Sequence, residues 1–288
     1  MMNFKNKVAV VTGAGRGIGA ATAQLLAKFG ASVVVNDIDE ERARNVVNSI
    51  SGQPGCSSSQ AFSVIGSVSD AGFPELLLSE AASSFGRIDV IVNNAGFTWD
   101  GVLHKMEDDQ WDKIIECHGT GAFRMIRAAA PYMREMGKQE VLAGQVPSDR
   151  SIINISSTSG LHGNAGQGNY SFAKMGLVGL TKTVAKEWGR FGVRCNTVAF
   201  GFIDTRLTRP ADENCAEGTM HVGQTQIAQG LPKETHKMLK SKMYMEIATA
   251  LGRFGTVEEA ASGVVFMASP MASYVTGHTL EVTGGLGM

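Results

Sequence analysis

Lys7-Val8-Ala9-Val10-Val11-Thr12-Gly13-Ala14-Gly15-Arg16-Gly17-Ile18-Gly19 joins a β-branched apolar run to a glycine-rich turn and the opening of a helix. Glycines in such a turn let backbone N–H groups approach a pyrophosphate, and the N-terminus of the following helix favours its charge. This placement makes Gly13, Gly15, Arg16, Gly17, Ile18 and Gly19 candidate dinucleotide-binding residues. The next apolar strand ends at Asp37, 18 residues after Gly19, close to the ~20 at which a ribose-binding carboxylate is expected. Asp37 can accept hydrogen bonds from the adenosine ribose hydroxyls, and it would repel a 2′-phosphate by about 4 kcal/mol at 4 Å and an effective dielectric of 20. Arg16 points the other way, since its guanidinium can pair with such a phosphate. The carboxylate weighs more, because an unpaired like charge is harder to tolerate than a spare Arg is to solvate. NAD(H) is therefore the expected cofactor and NADP(H) the alternative.

Outward from this turn, short apolar strands at 7–12, 32–37, 61–65, 88–93, 151–156 and 193–199 alternate with helical patterns at 18–29, 40–50, 73–85, 108–136 and 173–188. Continuous apolar strands belong to a sheet covered on both faces. Repeated βα units with right-handed crossovers give an α/β fold with a doubly wound parallel sheet flanked by helices. No boundary splits off a second domain, so 1–288 reads as one dinucleotide-binding catalytic domain. Two segments break the rhythm. Residues 138–149 form a polar connection, and 202–249 is long enough to be a substrate lid with helices of its own. Within it, Met238, Met243 and Met245 either line an adaptable apolar pocket or pack a lid helix.

Of the 288 residues 43% are hydrophobic and the net charge is −1, which suits an ordinary globular core and offers no basic block for nucleic acid or a membrane surface. No apolar run approaches the ~18 residues of a membrane span, and no signal-peptide core precedes the first strand. The four cysteines, Cys56, Cys117, Cys195 and Cys215, form no Cys-x-x-Cys pair. They read as reduced thiols in a cytoplasmic compartment. The six histidines make no ligand cluster, so no metal is expected.

Tyr170 and Lys174 lie four apart in a helical pattern, hence on one helix face. A free phenol has a pKa of about 10, and a nearby ammonium favours the phenolate. Lowering that pKa by roughly three units needs about 4 kcal/mol of preferential stabilisation. Asn93-Asn94-Ala95-Gly96 ends the fourth strand and Ile153-Asn154-Ile155-Ser156-Ser157 the fifth, with Tyr170 a further 13 residues beyond Ser157. Carboxyl ends of strands near a switch point are where ligands bind in such sheets.

Together these motifs, with Val198-Ala199-Phe200-Gly201 and Thr205, resemble the short-chain dehydrogenase/reductase family over nearly the whole chain. The resemblance implies that Tyr170 is the acid in ketone reduction and the base in alcohol oxidation, and that Ser157 steadies the developing alkoxide. The 13-residue spacing to Tyr170 favours Ser157 over Ser156, which reads as a structural strand-end residue. Lys174 would bind the nicotinamide ribose and lower the Tyr170 pKa. Asn94, Ala95 and Gly96 would line the adenosine ribose. Gly201, Ile203 and Thr205 complete the cofactor set, with Ile203 and Thr205 touching the carboxamide.

Three departures stand out. His118 occupies the helix position where the family has a catalytic Asn whose main-chain carbonyl holds a relay water; His118 either preserves that relay, adding an imidazole, or only packs. Phe200 replaces a Pro, which loosens φ there. Ser67 replaces an adenine-contacting Asp, leaving backbone contacts from Val68.

Within the family, Gly163-Asn164-Ala165-Gly166-Gln167-Gly168-Asn169-Tyr170 and the tail from Tyr274 to Gly285 look like those of 3-oxoacyl-acyl-carrier-protein reductases. The implied substrate is a 3-oxoacyl thioester. The alternative is NAD-linked turnover of another secondary alcohol, hydroxysteroids included. Members of the family are commonly homotetramers, so a homotetramer or homodimer is implied. A dinucleotide-binding sensor without turnover is a further class, against which Ser157, Tyr170 and Lys174 argue.

Overall fold

The computed structural model describes residues 2–57, 60–210, 219–222 and 225–287; Cys215 lies outside them. Its centre is a parallel sheet of β1 (Val8–Val11), β2 (Ser32–Asp37), β3 (Ala61–Ile65), β4 (Val90–Asn93), β5 (Arg150–Ser157), β6 (Val193–Phe200) and β9 (Thr279–Val282). The strand order is β3-β2-β1-β4-β5-β6-β9. The chain direction of assembly reverses between β1 and β4, which places a ligand crevice at their carboxyl ends. Val8–Val11, Val90–Asn93 and Val193–Phe200 are buried along their whole length, as strands covered on both faces must be.

One face is covered by α1 (Gly17–Lys28), α2 (Glu40–Ser51) and α11 (Val257–Ala268), whose Leu26, Ile50 and Val264 are fully buried with Val33 and Val35. The other carries α3 (Phe73–Phe85) and the helices before and after β5, with Leu77, Met125, Met133 and Trp188 packed on Val10, Ile91 and Ile152.

The helix expected at 108–136 runs further. α4 (Asp108–Ile115), α5 (Gly121–Ala129) and α6 (Met136–Leu142) follow one another through π turns at Glu116–Thr120 and Pro131–Glu135. The polar connection thus shrinks to 143–149. The helix expected from 173 begins five residues earlier: α7 (Thr158–His162) precedes α8 (Gly168–Trp188), so Tyr170 sits in the first turn of α8. β6 extends through Phe200, whose buried ring joins the core and whose backbone stays in register with Val282. The replacement of Pro leaves a regular strand end, not a loosened one.

The 202–249 segment holds an antiparallel hairpin, β7 (Thr219–Val222) and β8 (Thr225–Ala228), then α9 (Lys233–Leu239) and α10 (Lys242–Ala248). Of the methionines at 238, 243 and 245, Met245 is buried, while Met238 and Met243 are exposed. Met245 therefore packs the segment, and the other two face out.

Arg194 on β6 ties the last turn of α11 to the sheet. Its guanidinium donates to the carbonyls of Met267 (2.8 Å), Ala268 (3.2 Å) and Ser269 (3.1 Å), and its Nε to Asp149 (2.9 Å). The Met267 and Ala268 carbonyls belong to a helix end and are buried with the cation that bonds them, while the Ser269 carbonyl also accepts from Ala272 N–H at 3.1 Å. Arg194→Met is expected to lower stability by about 3 kcal/mol, because it strands buried acceptors. Urea unfolding of the two proteins measures it.

Candidate active site

The glycine turn closes on the end of β4. A methyl group on Gly13 would lie 2.6 Å from the Ala95 Cα, and one on Gly19 would lie 2.4 Å from the Gly13 carbonyl oxygen. Gly17, at φ +56°, has nothing within 4 Å of the corresponding position. The turn is thus sealed below and open above. Arg16, the N-cap residue of α1, gives its helix no side-chain cap, so the first-turn amides face that opening. This cradle fits a pyrophosphate.

Asp37 stands at its rim. Its Oδ2 accepts from Gly15 N–H at 2.8 Å and its Oδ1 from Asp39 N–H at 3.1 Å. A methyl group on Gly15 would meet that carboxylate at 2.8 Å and the Arg42 Cβ at 2.9 Å. Burial, then Arg42, push the Arg16 guanidinium below its ordinary range, with Asp37 opposing. The rim therefore carries the fixed Asp37 carboxylate and the Arg16 and Arg42 guanidiniums, with Arg42 paired to Asp39 at 3.1 Å.

The Asn94 side chain ties the site's own backbone together. Its Nδ2 donates to the carbonyls of Thr12 and Gly13, both at 2.9 Å, and Thr12 Oγ1 accepts from the amides of Asn94 and Ala95. The side chain clamps the β4 end to the glycine turn. Ser67 likewise turns inward to its own loop, accepting from Ser69 N–H at 3.2 Å. Val68 is buried against Gly121. At the end of β6, Gly201 passes Thr283 so closely that a methyl group would lie 3.0 Å from its Cα. Ile203 is buried, and Thr205 caps a short turn by exchanging bonds with Thr208.

Ser157, Tyr170, Lys174 and His118 come together at the carboxyl ends of β4 and β5. Ser157 Oγ accepts from Ser159 N–H at 3.1 Å and stands beside the Tyr170 phenol, whose pKa it draws down. Ser156 instead donates to the Lys174 carbonyl at 2.8 Å. Lys174 is buried; its Nζ donates to the Ile155 carbonyl at 2.7 Å and lies 5.4 Å from the Tyr170 ring centroid. Burial lowers the Lys174 pKa to about 8. Burial first, and the Asp100 carboxylate next, push the Tyr170 phenol upward, with the Ser157 bond opposing. The expected lowering of the Tyr170 pKa by Lys174 is therefore not seen in the protein alone: desolvation outweighs an ammonium that is itself committed to a carbonyl.

His118 occupies the π turn. Its ring meets that of Tyr170 edge-on at 5.1 Å, and a methyl group on Gly96 would lie 2.2 Å from its Cε1. Nε2 lies 2.7 Å from the Phe97 carbonyl oxygen and 3.3 Å from the Phe97 nitrogen; a proton on Nε2 satisfies the shorter of these contacts and makes Nδ1 the acceptor. Burial, then Lys174, hold the imidazole well below its usual pKa, so it is neutral. Nδ1 and the Asn93 Oδ1 are buried with no hydrogen-bond partner among the described residues. Both residues line a cavity of about 10 Å³ with Thr12, Cys117 and Lys174, about the volume of one water position.

Sequence reasoning missed two polar devices here. Asn169, fully buried, donates to the Trp99 and Gln110 carbonyls and accepts from Tyr170 N–H, which fixes the start of α8. Gln167 bridges Asp100 and Ser159. Among the described residues no group of three or more His, Cys, Asp or Glu could hold a metal, and no helix is long and apolar enough to cross a membrane.

The short chain dehydrogenase profile matches residues 7–216, and one described as enoyl-(acyl carrier protein) reductase matches 219–287. The chain is 35% identical over 285 residues to the 3-oxoacyl-[acyl-carrier-protein] reductase FabG of Thermotoga maritima, covering 99% of each. It is 37% and 38% identical to the reductases of that name from Salmonella typhimurium and Vibrio harveyi, over all of each chain. A short-chain dehydrogenase/reductase structure from Brucella melitensis, titled glucose/ribitol dehydrogenase, superposes with a TM-score of 0.78 at 26% identity, covering 100% of this chain and 99% of that one. With a family profile over most of its length and full-length relatives above 30% identity, the chain belongs to the short chain dehydrogenase family and is an NAD(P)-dependent oxidoreductase acting on CH–OH groups.

Proposed function

We propose that the protein reduces 3-oxoacyl thioesters to (3R)-hydroxyacyl thioesters, with Tyr170 as the acid. The observation that carries this reading is the grouping of half-buried Ser157 and Tyr170 with buried Lys174 beside an open glycine cradle, in a chain alike over its full length to reductases named for that substrate. A bound nicotinamide would supply the hydride. The cradle at Gly13–Gly19, Asp37, Lys174, Ile203 and Thr205 would hold the cofactor. Tyr170 gives its proton to the substrate oxygen, and the Ser157 hydroxyl donates to that same oxygen as charge develops there. Burial keeps the phenol protonated, which suits an acid. In the reverse direction the same burial makes it a reluctant base.

His118 takes the place of the family's Asn without carrying the proton itself. With Nε2–H committed to Phe97, its Nδ1 and Asn93 Oδ1 offer two acceptors behind Lys174, and a relay preserved there passes from Lys174 into this small cavity. The 202–249 segment serves as the substrate lid, and the exposed Phe123, Phe172 and Met175 favour burial of the α5 and α8 faces in a homotetramer.

NAD(H) is the preferred cofactor, because the Asp37 carboxylate is fixed at the rim by two backbone amides. kcat/KM with NADH is expected to exceed that with NADPH. Asp37→Asn keeps an acceptor for the turn, removes the charge that opposes a 2′-phosphate, and leaves Arg16 and Arg42 beside it. It is expected to shift the ratio toward NADPH by about tenfold to a hundredfold. A parent enzyme that already prefers NADPH would overturn this preference.

The substrate itself is tested by steady-state reduction of an acetoacetyl thioester against steroid and aromatic ketones. The second reading, oxidation of a different secondary alcohol, is favoured by Asp37 and by the apolar roof that Ile227 and Met220 set beside Tyr170. A bulky ketone turned over faster than the thioester would select it.

A further inference from the structure

The hairpin of the 202–249 segment is folded down onto the site. Ile227 on β8 is buried in one cluster with Phe97, Ile114 and Ala173, and Tyr170, Trp99 and Met220 pack against them. The hairpin's base is tied by Leu231 N–H to the Arg209 carbonyl at 2.9 Å. Just after β8, Gln229 is fully buried. Its Oε1 accepts from Thr98 N–H at 3.3 Å, and its Nε2 donates to the Thr98 carbonyl at 3.0 Å. A side-chain amide here pairs with a backbone peptide as a neighbouring strand would.

The adjacent residue is held from the other side. His118 Nε2 lies 2.7 Å from the Phe97 carbonyl oxygen and 3.3 Å from the Phe97 nitrogen. Phe97 and Thr98 thus form a two-residue link. Gln229 of the hairpin grips one, and His118, edge-on to Tyr170, grips the other.

We propose that Gln229 is a positioning residue that latches the hairpin shut over Tyr170 and, through Thr98 and Phe97, couples that closed position to the seat of His118. The inference rests on the reading of Tyr170 as the acid–base centre, but the latch exists with or without substrate. Substrate enters when both Gln229–Thr98 bonds release, and their re-formation returns His118 to its place against Tyr170. The chain's departure from Asn at position 118 then has a use: an imidazole reaches Phe97, which the lid's own contact residue adjoins.

Gln229→Leu keeps the bulk and removes both bonds. Hydrogen exchange on the full-length protein without substrate is expected to show the Thr98 amide and the amides of β8 exchanging about tenfold faster or more, as the loss of one to two net hydrogen bonds implies. The His118 ring ¹⁵N signals are expected to move, and kcat to fall about tenfold while the cofactor Kd stays within twofold. Unchanged exchange at Thr98 and β8 overturns the latch. Faster exchange with unmoved His118 signals overturns the coupling. Neither result depends on which carbonyl compound is turned over, so failure of the substrate reading remains distinguishable. Gln229→Met, unbranched and of similar length, provides the same measurements should the leucine variant not fold.

Discussion

Tyr170→Phe is expected to lower carbonyl reduction by about a thousandfold or more while leaving the Kd for NADH within a few-fold. Tyr170 is the acid in the proposed reaction, and a positioned general acid contributes about 10²–10⁴ in rate. Removing the hydroxyl leaves the ring, and with it the packing against His118 and Lys174. The fold and the cradle should therefore stay intact. Fluorescence titration with NADH separates loss of chemistry from loss of binding. The upward push on the phenol pKa sets the pH dependence of the parent enzyme. Reduction, which needs the protonated form, is expected to be flat through neutrality as far as Tyr170 is concerned. Oxidation, which needs the phenolate, is expected to rise toward alkaline pH. A parent whose oxidation rate already levels off at pH 7 would show that the bound cofactor overcomes the burial seen in the protein alone.

The sheet and its cradle were legible because parallel strands buried on both faces leave unbroken apolar runs, and because the turn after β1 must be glycine. Gly13 and Gly19 show why: neighbouring backbone occupies the space a Cβ would need. What was illegible depended on long-range contacts. The start of α8 reads poorly as helix at Gly168 and Asn169, yet Asn169 holds it in place through carbonyls about 60 and 70 residues away in sequence. The π turns of the 108–142 helix add a residue to a turn without breaking the apolar pattern, so periodicity alone does not reveal them. The hairpin strands are only four residues each, and although Thr219-Met220-His221-Val222 alternates polar and apolar, Thr225-Gln226-Ile227-Ala228 does not, so the pair is too short and uneven to stand out as strands. Motifs picked out the candidate site residues but not their hydrogen bonds: the Asn94 amide donates to the turn, and Lys174 donates to Ile155.

That commitment makes Lys174 costly to the fold. Lys174→Met is expected to yield a protein more stable than the parent at pH 7 and at least a hundredfold slower. Burial lowers the ammonium's pKa from 10.5 to about 8, a difference worth about 3 kcal/mol against the folded state. Met removes that cost but strands the Ile155 carbonyl, which returns about 1 kcal/mol. The net gain is about 2 kcal/mol. Its pH dependence has a definite sign. Below pH 8 both the folded and the unfolded parent hold the proton, and the whole cost is present. As pH rises from about 8 to 10.5, the unfolded chain holds a proton that the folded one has released. The parent's stability therefore rises through that window, and the variant's advantage fades. Urea unfolding at pH 7 and pH 10 measures both ends. A variant less stable than the parent at pH 7 would mean that the Lys174–Ile155 bond outweighs the desolvation, and that the ammonium stabilises the fold. If the variant is instead stable and slow, the enzyme keeps a buried cation behind Tyr170 at the expense of its own stability, as a group retained for chemistry would be.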